Sequence, residues 1–166
     1  VSDALRPAQT HTLPLLYACP SSTVHPEYAH TPTAGWEKND TLSFEVSPLL
    51  EAGHYRQSLG LRITGAYPFM GLTLIVEQTV YHRKRKIPGE CKIDTVNCQL
   101  IDNNGASKGQ GISYYQYNFP INIYQMHQGD SIHVAIRPEI KREILPVVSD
   151  IGIKTSKNNK KSKKAS

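Results

Sequence analysis

The chain is poor in the residues that staple a fold or ligate a metal. Among 166 residues there are 3 cysteines, 2 methionines and a single tryptophan, Trp36. No Cys-x2-Cys spacing occurs, which removes the common zinc frameworks. The histidines, His11, His25, His30, His54, His82, His127 and His133, show no metal-ligand spacing and read as surface or loop residues. Met70 and Met126 add no ligand pattern. No metal or other cofactor is expected. Long apolar runs are also missing: the longest are residues 13–19, interrupted by Pro14, and residues 72–76. A membrane-spanning helix needs ~20 such residues, so none is predicted. There is no P-loop and no G-x-S-x-G elbow. Glu45, Glu77 and Asp94 could be assembled into a carboxylate pair for glycoside hydrolysis, but any sandwich with 14 acids offers such pairs. The chain is therefore read as no enzyme.

The net charge of +5 is unevenly spread. Six of the 19 basic side chains, Lys154, Lys157, Lys160, Lys161, Lys163 and Lys164, fall in the last 13 residues. The first 153 residues then carry 13 basic against 14 acidic groups, a net of −1. A nucleic-acid-binding body shows a basic face rather than a basic appendix, so nucleic acid is not an expected partner.

What is present is alternation with a period of two. Leu42, Phe44 and Val46 form one row; Gln57, Leu59, Leu61 and Ile63 the next; Leu72, Leu74, Val76 and Val80 a third. Val96, Cys98 and Leu100 follow, then Tyr115, Tyr117 and Phe119, then Ile132, Val134 and Ile136, then Ile151 and Ile153. Such rows mark strands with one buried face. Turn chemistry separates them at Asp102-Asn103-Asn104-Gly105, Gln128-Gly129-Asp130 and Ile87-Pro88-Gly89. The pattern predicts an all-β fold, a single antiparallel β-sandwich of jelly-roll or immunoglobulin type with disordered termini. Residues 121–128 and 139–145 are candidates for a short helix or irregular loop. Prolines recur through residues 1–35, which read as irregular. The lysine-rich residues 156–166 have nothing to bury and read as disordered.

Several segments together resemble one known family. They are Gly35-Trp36-Glu37-Lys38-Asn39-Asp40-Thr41-Leu42-Ser43-Phe44, Leu59-Gly60-Leu61-Arg62, Ala66-Tyr67-Pro68-Phe69 and Leu72-Thr73-Leu74-Ile75-Val76-Glu77. Asp94-Thr95, the Gly105 to Gly111 loop and Leu145-Pro146-Val147-Val148-Ser149-Asp150-Ile151-Gly152 complete the series. In order and spacing the set resembles the gliding-motility lipoprotein H (GldH) family of the Bacteroidetes, from about Cys19 to Thr155. The resemblance implies a lipoprotein of the cell envelope, anchored most readily to the outer membrane, with envelope proteins as partners and no established biochemical activity. Leu16-Tyr17-Ala18-Cys19 has the shape of a lipobox, and Cys19 stands where the family's lipidated cysteine stands. Residues 1–18 then read as a residual or degenerate signal segment, residues 19–35 as a Pro-rich tether extended by up to ~3.1 Å per residue, residues 36–155 as the sandwich, and residues 156–166 as the tail.

The expected work is binding. A carbohydrate-binding jelly-roll module, with a glycan as partner, is the alternative. Candidate binding residues are Trp36, as an aromatic platform or as a plug for the tether, with Tyr67 and Phe69 in a rigid Pro68 loop. Arg62 and Glu77 are expected to face each other on adjacent strands, as a structural pair or a ligand clamp. Arg83, Lys84, Arg85 and Lys86 form a basic run suited to anionic headgroups. Cys91 and Cys98 are seven apart on one expected strand. That places them on opposite faces and ~23 Å apart, too far for a disulfide, so both are read as free thiols.

Overall fold

The computed structural model describes residues 23–83 and 88–158. Ten strands follow in order: β1 (Thr23–His30), β2 (Trp36–Glu37), β3 (Leu42–Val46), β4 (Gly53–Thr64), β5 (Gly71–Tyr81), β6 (Pro88–Gln99), β7 (Tyr114–Met126), β8 (Ser131–Pro138), β9 (Ile144–Leu145) and β10 (Val148–Lys157). There is no helix among the described residues. One four-stranded sheet has the order β1-β10-β4-β7, the other β3-β8-β5-β6, and β2 pairs with β9 in a short ribbon. Every pairing is antiparallel. Among the eight long strands the pairings nest: first with last (β1 with β10), then β3 with β8, β4 with β7, and β5 with β6. A double ribbon wound in this way around a two-sheet core is a jelly roll, so the immunoglobulin alternative does not apply.

The alternating rows supply the inner faces. Leu59, Leu61, Ile63, Ile151 and Ile153 of one sheet meet Phe44, Leu74, Val76, Val134 and Ile136 of the other, all buried. Full burial of each such side chain contributes ~1.5–3 kcal/mol. Three polar residues, Gln57, Gln78 and Thr155, are fully buried beside them. Gln57 Nε2 donates to Thr155 Oγ1 at 3.4 Å. At the edge where β6 meets β7, Asp94 Oδ2 accepts from Gln78 Nε2 at 3.1 Å and from Asn122 Nδ2 at 2.6 Å. That carboxylate therefore links the two sheets.

Four expectations need correction. Residues 23–30 form the edge strand β1 in place of part of a tether. An edge strand can hold a proline such as Pro26, since alternate backbone N–H groups of an edge bond to no neighbouring strand. β10 runs to Lys157, two residues into the expected tail. Residues 121–126 continue β7, while residues 139–143 are irregular and lead into β9. Arg62 and Glu77 lie on β4 and β5, which belong to different sheets, and both point outwards from the sandwich. They cannot form a pair. The remainder of the expected tether and tail lies outside the described residues.

Arg62 has another partner. Its guanidinium centre stands 4.2 Å from the centroid of the Tyr28 ring, a cation–π contact. Tyr28 pairs with Gly152, and Gly152 with Gly60. The ring lies across both glycines on the outer face of the sheet. A Cβ on Gly152 would stand 2.6 Å from Glu27 O and from Tyr28 Cδ1, and a Cβ on Gly60 would stand 2.8 Å from Tyr28 Cζ. Gln116 Nε2 reaches Tyr28 Oη at 3.4 Å. Bare backbone at these two positions lets an aromatic side chain hold the edge strand down.

Gly152→Ala should push against backbone as well as ring, and cost about 1–3 kcal/mol as overpacking does. Gly60→Ala, which meets only the movable ring, should cost less. Denaturant unfolding of the two variants checks the order. The cysteines give a second expectation. Both lie in β6, Cys91 exposed and Cys98 buried. Burial pushes the Cys98 thiol up to about 12. An alkylating reagent should label Cys91 in the native protein and reach Cys98 only after unfolding, as mass spectrometry would report.

Candidate functional site

The topology gives the sandwich two poles. At the first, the start of β1 meets the end of β10 (Thr23↔Ser156), and the end of β7 meets the start of β4 (Met126↔Gly53). In the facing sheet the end of β3 meets the start of β8 (Val46↔Ile132), and the end of β5 meets the start of β6 (Tyr81↔Pro88). The short connections 47–52 and 127–130 join the two sheets at this same pole. The second pole carries the β4–β5 turn and the irregular segment 139–143.

A groove of about 280 Å³ opens at the second pole. One wall is the β4–β5 turn. Tyr67 N donates to Thr64 O at 3.2 Å and closes the turn. The Tyr67 and Phe69 rings meet edge to face at a centroid distance of 5.4 Å, and Tyr67 Oη reaches Gly71 O at 3.4 Å. Burial first, and then the neighbouring Cys98, push the Tyr67 hydroxyl up to about 12, so it stays a neutral donor. The other wall is segment 139–145, with Ile140, Ile144 and Leu145. Glu139 N donates to Thr73 O at 2.9 Å and Lys38 N to Glu143 O at 2.8 Å, which ties the segment at both ends. Arg142 places its guanidinium 5.1 Å from the Phe69 centroid, and Lys141 is exposed beside it. The groove is thus apolar within and charged at the rim, where Lys141 and Arg142 outnumber the single carboxylate of Glu139. It suits an apolar side chain that arrives with an acidic neighbour.

A second, more polar groove of about 480 Å³ lies along the open edge between β6 and β7. Asn97, Gln99, Gln116 and Asn118 line it with amides, and Tyr117 and Phe119 stack beneath at 6.1 Å with planes 6° apart. Tyr117 Oη is held by Ser107 Oγ at 2.8 Å.

The sequence-predicted residues scatter. Tyr67 and Phe69 come together in the first groove. Trp36 has no exposed surface, and its Nε1 donates to Asp40 O at 3.1 Å; it cannot serve as a platform for a ligand. Arg62 covers Tyr28 on one outer face, and Glu77 accepts from the Cys91 thiol at 3.7 Å on the other. Asp94 faces inwards while Glu45 and Glu77 face outwards, so these three carboxylates share no cleft. Arg83 is exposed at the first pole; Cys19, Lys84, Arg85 and Lys86 lie outside the described residues. Sequence reasoning missed Ile140, Lys141, Arg142 and Ile144. Their signal was present as apolar and basic residues mixed in a segment without clear period.

The model of the GldH lipoprotein family matches residues 23–155. That span begins with the first residue of β1 and ends two residues before the end of β10. The gliding motility lipoprotein GldH of Flavobacterium johnsoniae is 27% identical over 151 residues, which cover 84% of this chain and 88% of that protein. A family match that takes in every strand of the jelly roll settles the relationship: the chain belongs to the GldH lipoprotein family.

Proposed function

We propose that this chain is a non-enzymatic binding lipoprotein of an envelope assembly, anchored through Cys19 and gripping a protein partner in the groove of the second pole. The observation that carries the reading is the position of that groove. Cys19 precedes β1 by four residues, a reach of at most ~14 Å, so an acyl anchor there sits beside the first pole. Arg83 and Lys157 stand at that pole. Lys84, Arg85 and Lys86 follow Arg83 in sequence, and four further lysines follow Asn158. Positive charge near an anionic leaflet contributes ~1 kcal/mol per side chain, and each buried CH₂ of an acyl chain ~0.8 kcal/mol. The groove lies at the far end and faces away from the bilayer. In this reading the bilayer is the outer membrane.

The polar groove between β6 and β7 favours a second reading, a glycan-binding module, since amides over aromatic rings are suited to sugar hydroxyls and ring faces.

Affinity purification of the lipidated, full-length protein from its native envelope separates the two. Arg142→Glu and Phe69→Ala should keep the protein membrane-bound and folded, yet weaken retention of the protein partner by tenfold or more, the ~1.4 kcal/mol of a single anchor contact. Cys19→Ala should release the protein from the membrane with its fold unchanged. If Gln116→Ala and Asn118→Ala abolish retention while the groove variants leave it intact, the glycan reading replaces the first.

A further inference from the structure

We propose that His82, His127 and Asp130 form a binding site for a divalent first-row transition metal ion, with zinc as the best-fitting case. Nothing in the family relationship points there; the argument is geometric. His82 follows the last residue of β5, His127 follows the last residue of β7, and Asp130 precedes β8. The pairing of Tyr81 with Ser131 brings these strand ends together. Between the second histidine and the aspartate the chain turns through Gly129, whose φ of 86° is open to glycine. The turn is fixed from outside: Gly129 N donates to Leu49 O at 2.7 Å, and Leu49 N to Asp130 O at 2.9 Å. Two candidate ligands thus sit on one rigid four-residue turn, and the third just past the end of a neighbouring strand.

One ligand atom from each of the three residues lies within 4.8 Å of the other two. Asp130 Oδ2 is 3.0 Å from His82 Nδ1 and 3.4 Å from His127 Nδ1. Metal bonds of ~2.0–2.2 Å in a tetrahedron put neighbouring ligand atoms ~3.3–3.5 Å apart. Two edges of such a tetrahedron are therefore already close to length. The third closes by small ring rotations, which His82 and His127 are free to make, with side chains 37% and 75% exposed.

Asp130 is built as an orienting ligand. Its side chain is 3% exposed, and the backbone N–H of His127 donates to the same Oδ2 at 2.9 Å, the outer contact that fixes a ligating carboxylate. Two imidazoles with one carboxylate suit zinc and its neighbours and not calcium or magnesium, which take oxygen ligands. The exposed side of the His127 ring leaves a fourth position for solvent. The Arg83 side chain packs over Gly129, and its charge opposes a cation. A metal takes each imidazole nitrogen through its free lone pair, so it competes there with a proton.

The test uses the untagged full chain, stripped with a chelator and titrated with zinc alone at a pH above the histidine range. One equivalent should bind and raise the thermal midpoint, and cobalt in its place should give the visible bands of a tetrahedral ion. His82→Ala and His127→Ala remove side chains from the surface and should fold normally; each should weaken binding by at least about tenfold. Cys91→Ser should leave binding unchanged. The proposal is overturned if the native chain takes up no saturating equivalent, if the double variant His82→Ala/His127→Ala binds like the native chain, or if Cys91→Ser abolishes binding.

Discussion

The antiparallel pairing of β1 with β10 is the contact on which the rest depends. It joins the first described residues to the last and completes the eight-strand winding. β10 lies between β1 and β4 and places Ile151 and Ile153 in the core. The segment of β1 has no row of aliphatic side chains to bury. Its hold comes from ladder hydrogen bonds and from Tyr28, which lies over Gly152 and Gly60 under the Arg62 guanidinium. The glycines give up side-chain packing of their own so that an edge strand can dock by an aromatic ring. Without that row, β10 would become an exposed edge with unpaired backbone groups, a template for aggregation.

The same pairing decides where charge collects. Because Thr23 stands opposite Ser156, whatever precedes β1 and whatever follows β10 leave the sandwich at one pole. The domain itself is nearly neutral, and the net charge of +5 comes from the lysines after Ile153. In the proposed orientation the winding places the start of β1 and the end of β10, with Lys157, at the pole that faces the bilayer. Over a Debye length of ~8 Å at physiological salt, only charges held that close to a leaflet act on it. The winding of the strands, rather than any basic face on the sheets, provides this asymmetry.

Most of the strands were legible because burial on one face leaves a period-two trace, as in Leu42, Phe44 and Val46 or Ile132, Val134 and Ile136. β1 was not legible. Its docking depends on glycines more than 30 and 120 residues away, and Pro26 disguises it as loop. The Arg62 and Glu77 pairing failed for a topological reason. Consecutive strands in a hairpin are neighbours, but in a jelly roll β4 and β5 cross from one sheet to the other. Half of the groove was readable in the rigid Tyr67-Pro68-Phe69 turn. The other half comes from segment 139–145, some 70 residues on, and no local pattern connects the two. His82, His127 and Asp130 are hidden in the same way, since only strand pairing brings residue 82 to the 127–130 turn.

Trp36 shows how a distinctive motif serves a site it never touches. The Gly35 to Asp40 segment opens the series of residues that carries the family resemblance, and its tryptophan is wholly buried. Trp36 pairs with Leu145 and Glu37 with Ile144 in the β2–β9 ribbon, and Ile144 and Leu145 are themselves groove wall. Lys38 N holds Glu143 O one residue further along. Only Ile144 and Leu145 of segment 139–145 are strand, so this ribbon, with the Glu139 N to Thr73 O bond at the other end, sets its distance from the Tyr67 and Phe69 rings. Burying an indole fixes the ribbon firmly, because a large rigid side chain in a packed interior has few alternative positions. Trp36 acts on the groove by fixing its width, and the rings and cations that would meet a partner stand on the far side of the walls it holds.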